Sequence, residues 1–260
     1  MYVCTAISKK GMKIITDINE FRATPCAATI GSFDGVHVEH RVLLGRLVDM
    51  AAKLEAESVV VTFDPHPRIA MGRAEGMQLL TTIEERARLL DEVGIDRMVV
   101  AHFDDKFRSQ PYESFVRDML IERLGMVGMI VGYNHRLGRG SEGNFDKLQP
   151  LAAECGFELE CVAQHREDGE DKVSSTVVRN VIAEGDMERA ARLLGARYML
   201  SGVAREGVIA DISEYKMLPP SGEYRCSVEC EGATIPAILK IADRTATLSA
   251  GISGRVIVIF

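Results

Sequence analysis

His37 and His40 stand three residues apart in Ala28-Thr-Ile-Gly-Ser-Phe-Asp-Gly-Val-His-Val-Glu-His40, just after an apolar run and a turn containing Gly31 and Gly35. The spacing predicts a helix that starts at these residues and carries both imidazoles on one face. A helix N-terminus presents unpaired backbone N–H groups and the positive end of its dipole. Imidazoles placed there add further donors, so the segment suits a polyphosphate. Two histidines one turn apart can also share a metal ion. The zinc-protease order His-Glu-x-x-His is absent, however, and no Cys-x-x-Cys pair offers a closed zinc site, so no metal ligands are assigned.

Three other loops carry polar groups of the same kind. In Val60-Val-Thr-Phe-Asp-Pro-His-Pro67 an apolar run delivers Asp64 and His66 into a chain stiffened by Pro65 and Pro67, which suits a planar ligand and equally suits a simple turn. In Val131-Gly-Tyr-Asn-His-Arg-Leu-Gly-Arg-Gly-Ser-Glu-Gly-Asn144, Gly138, Gly140 and Gly143 satisfy G-x-G-x-x-G. Residues 133–137 nevertheless separate the apolar run from the first glycine, where a dinucleotide fingerprint needs an immediate turn, so that match is discounted. Arg136 and Arg139 leave the loop able to close over anionic groups. In Val173-Ser-Ser-Thr-Val-Val-Arg179, Ser175 reads as an N-cap with Arg179 four positions later on the same face. Hydroxyls, free N–H groups and a guanidinium can there meet one phosphate. No G-x-x-x-x-G-K-[ST] is present, which disfavours a P-loop kinase.

The elements that must position these loops follow from periodicity. Between residues 27 and 162, short β-rich runs (28–30, 58–63, 98–101, 129–132 and 159–162) alternate with amphipathic stretches. Such alternation predicts an α/β fold with a parallel sheet, in which ligands bind beyond the carboxyl ends of the strands. Leu43, Leu44, Leu47, Val48, Ala51 and Leu54 give the first helix its core face. Thr82 and Glu85 form a capping box, and Ser109 with Pro111 marks a third helix start. A last helix runs through Leu194. From Tyr198 onward Gly, Pro and β-branched residues dominate, with strand-like runs at 223–228, 234–241 and 255–260. The expected division is an α/β domain over 12–195 and a small β-barrel-like module over 196–260 that leans on it for burial.

Composition bounds the function. The 260 residues are 47% hydrophobic, enough for a buried core, and a net charge of -7 lacks the basic footprint of a nucleic-acid-binding protein. No apolar run reaches membrane-spanning length. The six cysteines show no close-spaced framework and no secretory pattern opens the chain, so they read as reduced thiols in cytoplasm. Cys226 and Cys230 share a strand face but stand too far apart along it to bridge in place. Residues 1–11 are expected to be dispensable, with Met12 as an alternative start. Nothing in the pattern fixes an oligomeric state.

Gly31-Ser-Phe-Asp-Gly-Val-His37, Thr62-Phe-Asp-Pro-His-Pro67, Val131-Gly-Tyr-Asn-His-Arg136, Ser174-Ser-Thr-Val-Val-Arg179 and Leu194-Gly-Ala-Arg-Tyr198 together resemble the prokaryotic bifunctional riboflavin kinase/FMN adenylyltransferase (FAD synthetase) family across nearly all of residues 12–203. The resemblance implies a Rossmann-like nucleotidyltransferase domain that transfers AMP from Mg2+-bound ATP to FMN, giving FAD and pyrophosphate. It implies catalytic roles for His37, His40 and Arg179. ATP would be held by Gly31, Ser32, Phe33, His37, His40, Ser174, Ser175, Thr176 and Arg179. Asp64, Pro65, Pro67, Asn134 and Arg136 would lie on the FMN side. The implied partners are these small molecules, with neither nucleic acid nor membrane.

The chain departs from that pattern at Glu39, where the family has glycine in His-x-Gly-His, and at Ser32 and Asn134, where it has Asn and mostly Asp. A carboxylate about 4 Å from a phosphate costs on the order of 4 kcal/mol at an effective dielectric near 20. Glu39 therefore opposes ATP binding unless it points away or is offset by magnesium or Arg41. The segment Ser201-Gly-Val-Ala-Arg-Glu-Gly-Val-Ile-Ala-Asp-Ile-Ser-Glu-Tyr-Lys-Met-Leu-Pro219 lacks the family's Gly-Phe-Pro-Thr-Ala-Asn kinase motif, so the module is expected to be a degenerate, shortened kinase-like barrel without riboflavin kinase activity. Two rival readings remain at this stage: a flavin- or nucleotide-binding protein without turnover, and a nucleotidyltransferase with another phosphate acceptor.

Overall fold

The computed structural model describes residues 11–17, 21–73, 75–163 and 173–260. Cys4 and nearly all of the segment expected to be dispensable lie outside the described residues. Six strands, β1 (Lys13–Ile15), β2 (Cys26–Ile30), β3 (Glu57–Asp64), β4 (Arg97–His102), β5 (Met126–Gly132) and β6 (Glu158–Val162), form one sheet in the order β1-β4-β3-β2-β5-β6. Every pairing in it is parallel. The five expected strands are all present, each longer by one to three residues. The edge strand β1 is new, its three residues being too short to show a period.

Helix α1 (Val38–Lys53) joins β2 to β3, while α2 (Pro67–Ala70) and α3 (Ile83–Val93) join β3 to β4. The β4–β5 connection contains α4 (Asp105–Ser109), α5 (Tyr112–Ser114) and a wide-turn helix, Phe115–Arg123, and α6 (Phe145–Cys155) precedes β6. Helices α7 (Ser175–Ala183) and α8 (Met187–Leu194) follow. Leu44, Leu47, Met50 and Ala51 of α1 are buried, each Leu contributing about 1.5–3 kcal/mol by leaving water. Gly128 in β5 permits that close approach, since a Cβ there would lie 2.7 Å from Leu54 Cδ1. The Thr82/Glu85 capping box forms as expected. The third helix differs: α4, capped by Asp104, ends at Ser109, and Pro111, whose fixed φ and missing N–H break the chain's helical run, caps α5 instead.

The C-terminal strands β7 (Met199–Arg205), β8 (Val208–Ala210), β9 (Gly222–Cys230), β10 (Ala233–Ala242), β11 (Thr245–Leu248) and β12 (Gly254–Ile259) close into an antiparallel barrel in the order β10-β11-β8-β7-β12-β9. Leu200, Val228, Leu239, Ile241, Val256 and Val258 fill its interior. The three expected strands are here. Sequence patterning missed β8 and β11 because they are short, and β7 because its Ser201-Gly202 centre dilutes the β-branched signal. Cys226 and Cys230 both lie on β9 as free thiols. Arg88 on α3 forms two hydrogen bonds to Glu229 on β9, at 2.5 and 2.9 Å, tying the barrel to the sheet domain. Among the described residues no helix is long and apolar enough to cross a membrane.

Candidate active site

The strand order reverses at β2, with β3 on one side and β5 on the other, which opens a crevice beyond their carboxyl ends. The chain leaves β2 through Gly31–Val36, a turn in which Phe33, Gly35 and Val36 take positive φ of 45°, 86° and 43°. Gly35 is required both by that φ and by space, because a Cβ would meet Leu80 Cδ1 at 2.6 Å. A β-branched residue in this region costs on the order of 1–3 kcal/mol, so the surroundings must impose it on Val36. Asp34 does so. Its buried carboxylate accepts the N–H groups of Leu80 (3.1 Å) and Thr81 (3.0 Å) and the Thr81 hydroxyl (3.2 Å). It also pairs with Arg179 Nη2 at 2.5 Å, and its backbone carbonyl accepts from Ser175 Oγ at 2.9 Å.

His37 is the N-cap of α1 and His40 lies in its first turn, as the spacing predicted. Their rings stack at 3.7 Å with planes 17° apart, and Phe33 meets His40 edge-on at 5.1 Å. Both Nδ1 atoms are buried without a partner, which leaves the Nε2 edges for a ligand. Burial lowers the His37 pKa to about 4, and burial followed by the nearby His37 and Arg86 pushes His40 well below its ordinary value. Both imidazoles are therefore neutral at pH 7 and act as hydrogen-bond donors rather than as charges. Burial likewise lowers His66 and His135 to about 4.

The unfolded chain takes up protons on these histidines below about pH 6.5, whereas the folded chain resists until about pH 4. Their stabilising contribution is complete above the unfolded pKa and is lost as pH falls from about 6.5 toward 4. Urea midpoints should hold steady above pH 7 and fall across that acid window, with His66→Asn flattening the fall. A midpoint independent of pH down to 4 would refute the assignment.

Two adjoining cavities occupy the crevice. The smaller, about 380 Å³, is lined by Gly31, Ser32, Phe33, His37, Glu39, His40, Asn134 and Ser174. The larger, about 940 Å³, is lined by Phe63, Phe103, Phe107 and Phe115 together with Pro67, Arg108, Arg136 and Arg139. Gly31, Ser32, Asn134 and His135 line both, so the two cavities meet at the ends of β2 and β5. In the larger one the phenylalanines pack edge-on or tilted at 5.3–5.6 Å, forming an apolar wall suited to a flat ring system.

The residues singled out from sequence distribute unevenly. Gly31, Ser32, Phe33, His37, His40, Ser174 and Asn134 meet in the smaller cavity, and Pro67, Asn134 and Arg136 line the larger. Asp64 and Pro65 line a third cavity of about 290 Å³, beside Arg86 and Lys216, which shares Phe63 and His66 with the larger one. The cap of α7 is Ser174, whose Oγ accepts from Val177 N–H at 3.3 Å, and not Ser175, which turns to Asp34. Thr176 is exposed. Arg179 lines neither crevice cavity, because Nε donates to the Gln78 carbonyl at 2.6 Å while Nη2 holds Asp34. Arg41, considered as a counter-charge to Glu39, turns to the Leu194 carbonyl at 3.0 Å. Sequence reasoning missed the phenylalanine wall, whose signal is Phe103 and Phe107 spaced one helical turn apart immediately after a strand. His66, read from sequence with Asp64 as a polar residue of its loop, lines the larger cavity, and its Nδ1 accepts from Arg68 N–H, leaving its proton on Nε2.

The FAD synthetase family profile matches residues 20–177. The chain belongs to the FAD synthetase family. It is 34% identical over 194 residues to the bifunctional riboflavin kinase/FMN adenylyltransferase of Escherichia coli K12, an alignment covering 74% of this chain and 62% of that one. A relative of the same name from Pseudomonas fluorescens is 33% identical over 229 residues, covering 84% of this chain and 73% of the relative. This family member thus spans less than two thirds of the E. coli protein. Among solved structures, a macrolide-efflux protein from Streptococcus pneumoniae superposes with a TM-score of 0.80 over 95% of this chain and 88% of that one. At 21% identity that likeness establishes the fold alone.

Proposed function

We propose that this chain is an FMN adenylyltransferase that converts FMN and ATP to FAD and pyrophosphate. The observation that carries this reading is the junction of a helix-capped histidine cavity with a phenylalanine-walled one. A triphosphate in the first and a flavin in the second would bring the FMN phosphate to the α-phosphorus of ATP. An FMN phosphate oxygen attacks that phosphorus, the bond to the bridging oxygen of the β-phosphate breaks, and pyrophosphate leaves. No covalent enzyme intermediate is needed, so positioning and charge stabilisation supply the rate. His37, His40 and the N-terminus of α1 would donate hydrogen bonds to the phosphates, with Ser174 across the cavity and Arg136 on the flavin side. Ser175 and Arg179 would act through Asp34, which they hold in place.

Magnesium enters this reading with ATP. Among the described residues no group of three or more His, Cys, Asp or Glu side chains is placed to hold a metal ion, and magnesium is commonly carried by substrate phosphates. The proposed activity stops at adenylyl transfer. Incubation with FMN, ATP and magnesium should yield FAD, whereas riboflavin in place of FMN should yield no FMN. Absence of FAD over a wide enzyme titration would sink the first claim, and phosphorylation of riboflavin the second.

Glu39 favours one alternative, binding without turnover, because it lines the phosphate cavity itself. Its carboxylate complements the helix dipole but repels ATP. Glu39→Gly should therefore tighten ATP binding by ~tenfold or more. If the parent is inert and the variant makes FAD, the chain is a binding protein disabled at this residue. If ATP affinity is unchanged, Glu39 points away from the phosphates.

A further inference from the structure

One buried lysine beside the barrel contacts the segment whose amides hold Asp34. Lys216 lies between β8 and β9, and its Nζ donates to the Leu80 carbonyl and to Glu85 Oε2, both at 2.6 Å. The ammonium also sits 4.3 Å from the Tyr198 ring centre. Both charges are fully buried, and Glu85 is further satisfied by Ser201 N–H at 2.7 Å and Thr82 N–H at 3.0 Å. Backbone bonds reinforce the contact: Leu79 N–H donates to Tyr215 O at 2.6 Å, and Met217 N–H donates to Leu79 O at 2.9 Å. Leu79 and Leu80 are clamped here, and the amides of Leu80 and the next residue, Thr81, hold Asp34. Leu80 offers its carbonyl to the barrel and its N–H to the loop that ends at His37.

A buried ion pair contributes little net stability compared with well-packed apolar groups, and setting register is its best-attested use. We propose that Lys216 is a positioning residue for the nucleotide cavity, holding Leu80 and Thr81 so that Asp34 can orient the His37 loop and Arg179. The barrel thereby serves the neighbouring domain's chemistry irrespective of any kinase activity of its own. This inference rests on the nucleotide reading of the smaller cavity.

The test measures ATP and FMN affinity by calorimetry, with amide exchange at Leu80 and Thr81, on the full chain. Lys216→Met should weaken ATP binding ~tenfold while FMN affinity stays within ~twofold, and should speed exchange at both amides. Arg88→Ala removes another barrel contact without touching Leu80 and should leave both affinities unchanged. If Lys216→Met does not fold, Glu85→Gln with Lys216→Met removes both charges together and should give the same selective loss. ATP affinity within ~twofold of the parent in a folded variant would overturn the proposal. So would an equal loss of ATP and FMN binding, or the same loss in Arg88→Ala. A parent that binds ATP without making FAD removes the proposed activity while the binding and exchange readouts still decide the role of Lys216. A parent that binds no ATP overturns both.

Discussion

Asp34→Ala should destabilise the protein by about 3–5 kcal/mol, the range for removing one partner of a buried ion pair. The carboxylate is 2% exposed, and its loss strips Arg179 of its counter-charge and the Leu80 and Thr81 amides of their acceptor. Val36, at positive φ, then keeps only the turn's remaining bonds, its own N–H to Phe33 O, Gly35 N–H to Thr81 Oγ1 and Ser175 Oγ to the backbone carbonyl at position 34. Asp34→Asn keeps the shape and one acceptor oxygen, so its cost should be smaller, about 1–3 kcal/mol. Urea unfolding of the two variants checks the order. A loss below about 1 kcal/mol for the alanine variant would mean that Asp34 does not organise the loop.

His40→Ala should depress turnover in FAD formation by ~10²–10³-fold, the cost of one preorganised donor to a developing oxyanion, while changing stability by less than about 2 kcal/mol. The separation of the two effects follows from geometry. His40 Nδ1 has no hydrogen-bond partner to lose among the described residues, and its aromatic contacts there are His37 and Phe33. His40→Gln, which restores a neutral donor of similar reach, should recover part of the activity. Because the imidazole is already neutral, the rate should show no step near pH 6.5 from this residue. Near-parental turnover in folded His40→Ala would remove His40 from the catalytic assignment.

Much of this architecture is legible in the chain because the α/β alternation is long and regular, and because His37 and His40 sit where a strand end and a helix start nearly coincide. What the sequence withheld are contacts between elements far apart in the chain. Arg179 looks like a phosphate ligand from its spacing to Ser175, yet Asp34, 145 residues earlier, holds it. Asp64 shares a segment with Pro67, but the chain turns between them and delivers the two to different cavities. The barrel was partly visible, since β9, β10 and β12 show up as strand-like runs in a segment rich in Gly, Pro and β-branched residues. Its closure depends on short strands that no local period could reveal, and Lys216 in an interface follows no pattern at all.

On the proposed function, the adenylyl group, and not the terminal phosphate, leaves ATP for FMN. Parallel reactions with ATP labelled at the α- or the γ-phosphorus decide it in one measurement. The expected result is α-label in FAD and γ-label in pyrophosphate, in equal molar amounts and dependent on FMN. Label from the γ-position in a flavin product, or no labelled flavin from either, would contradict it.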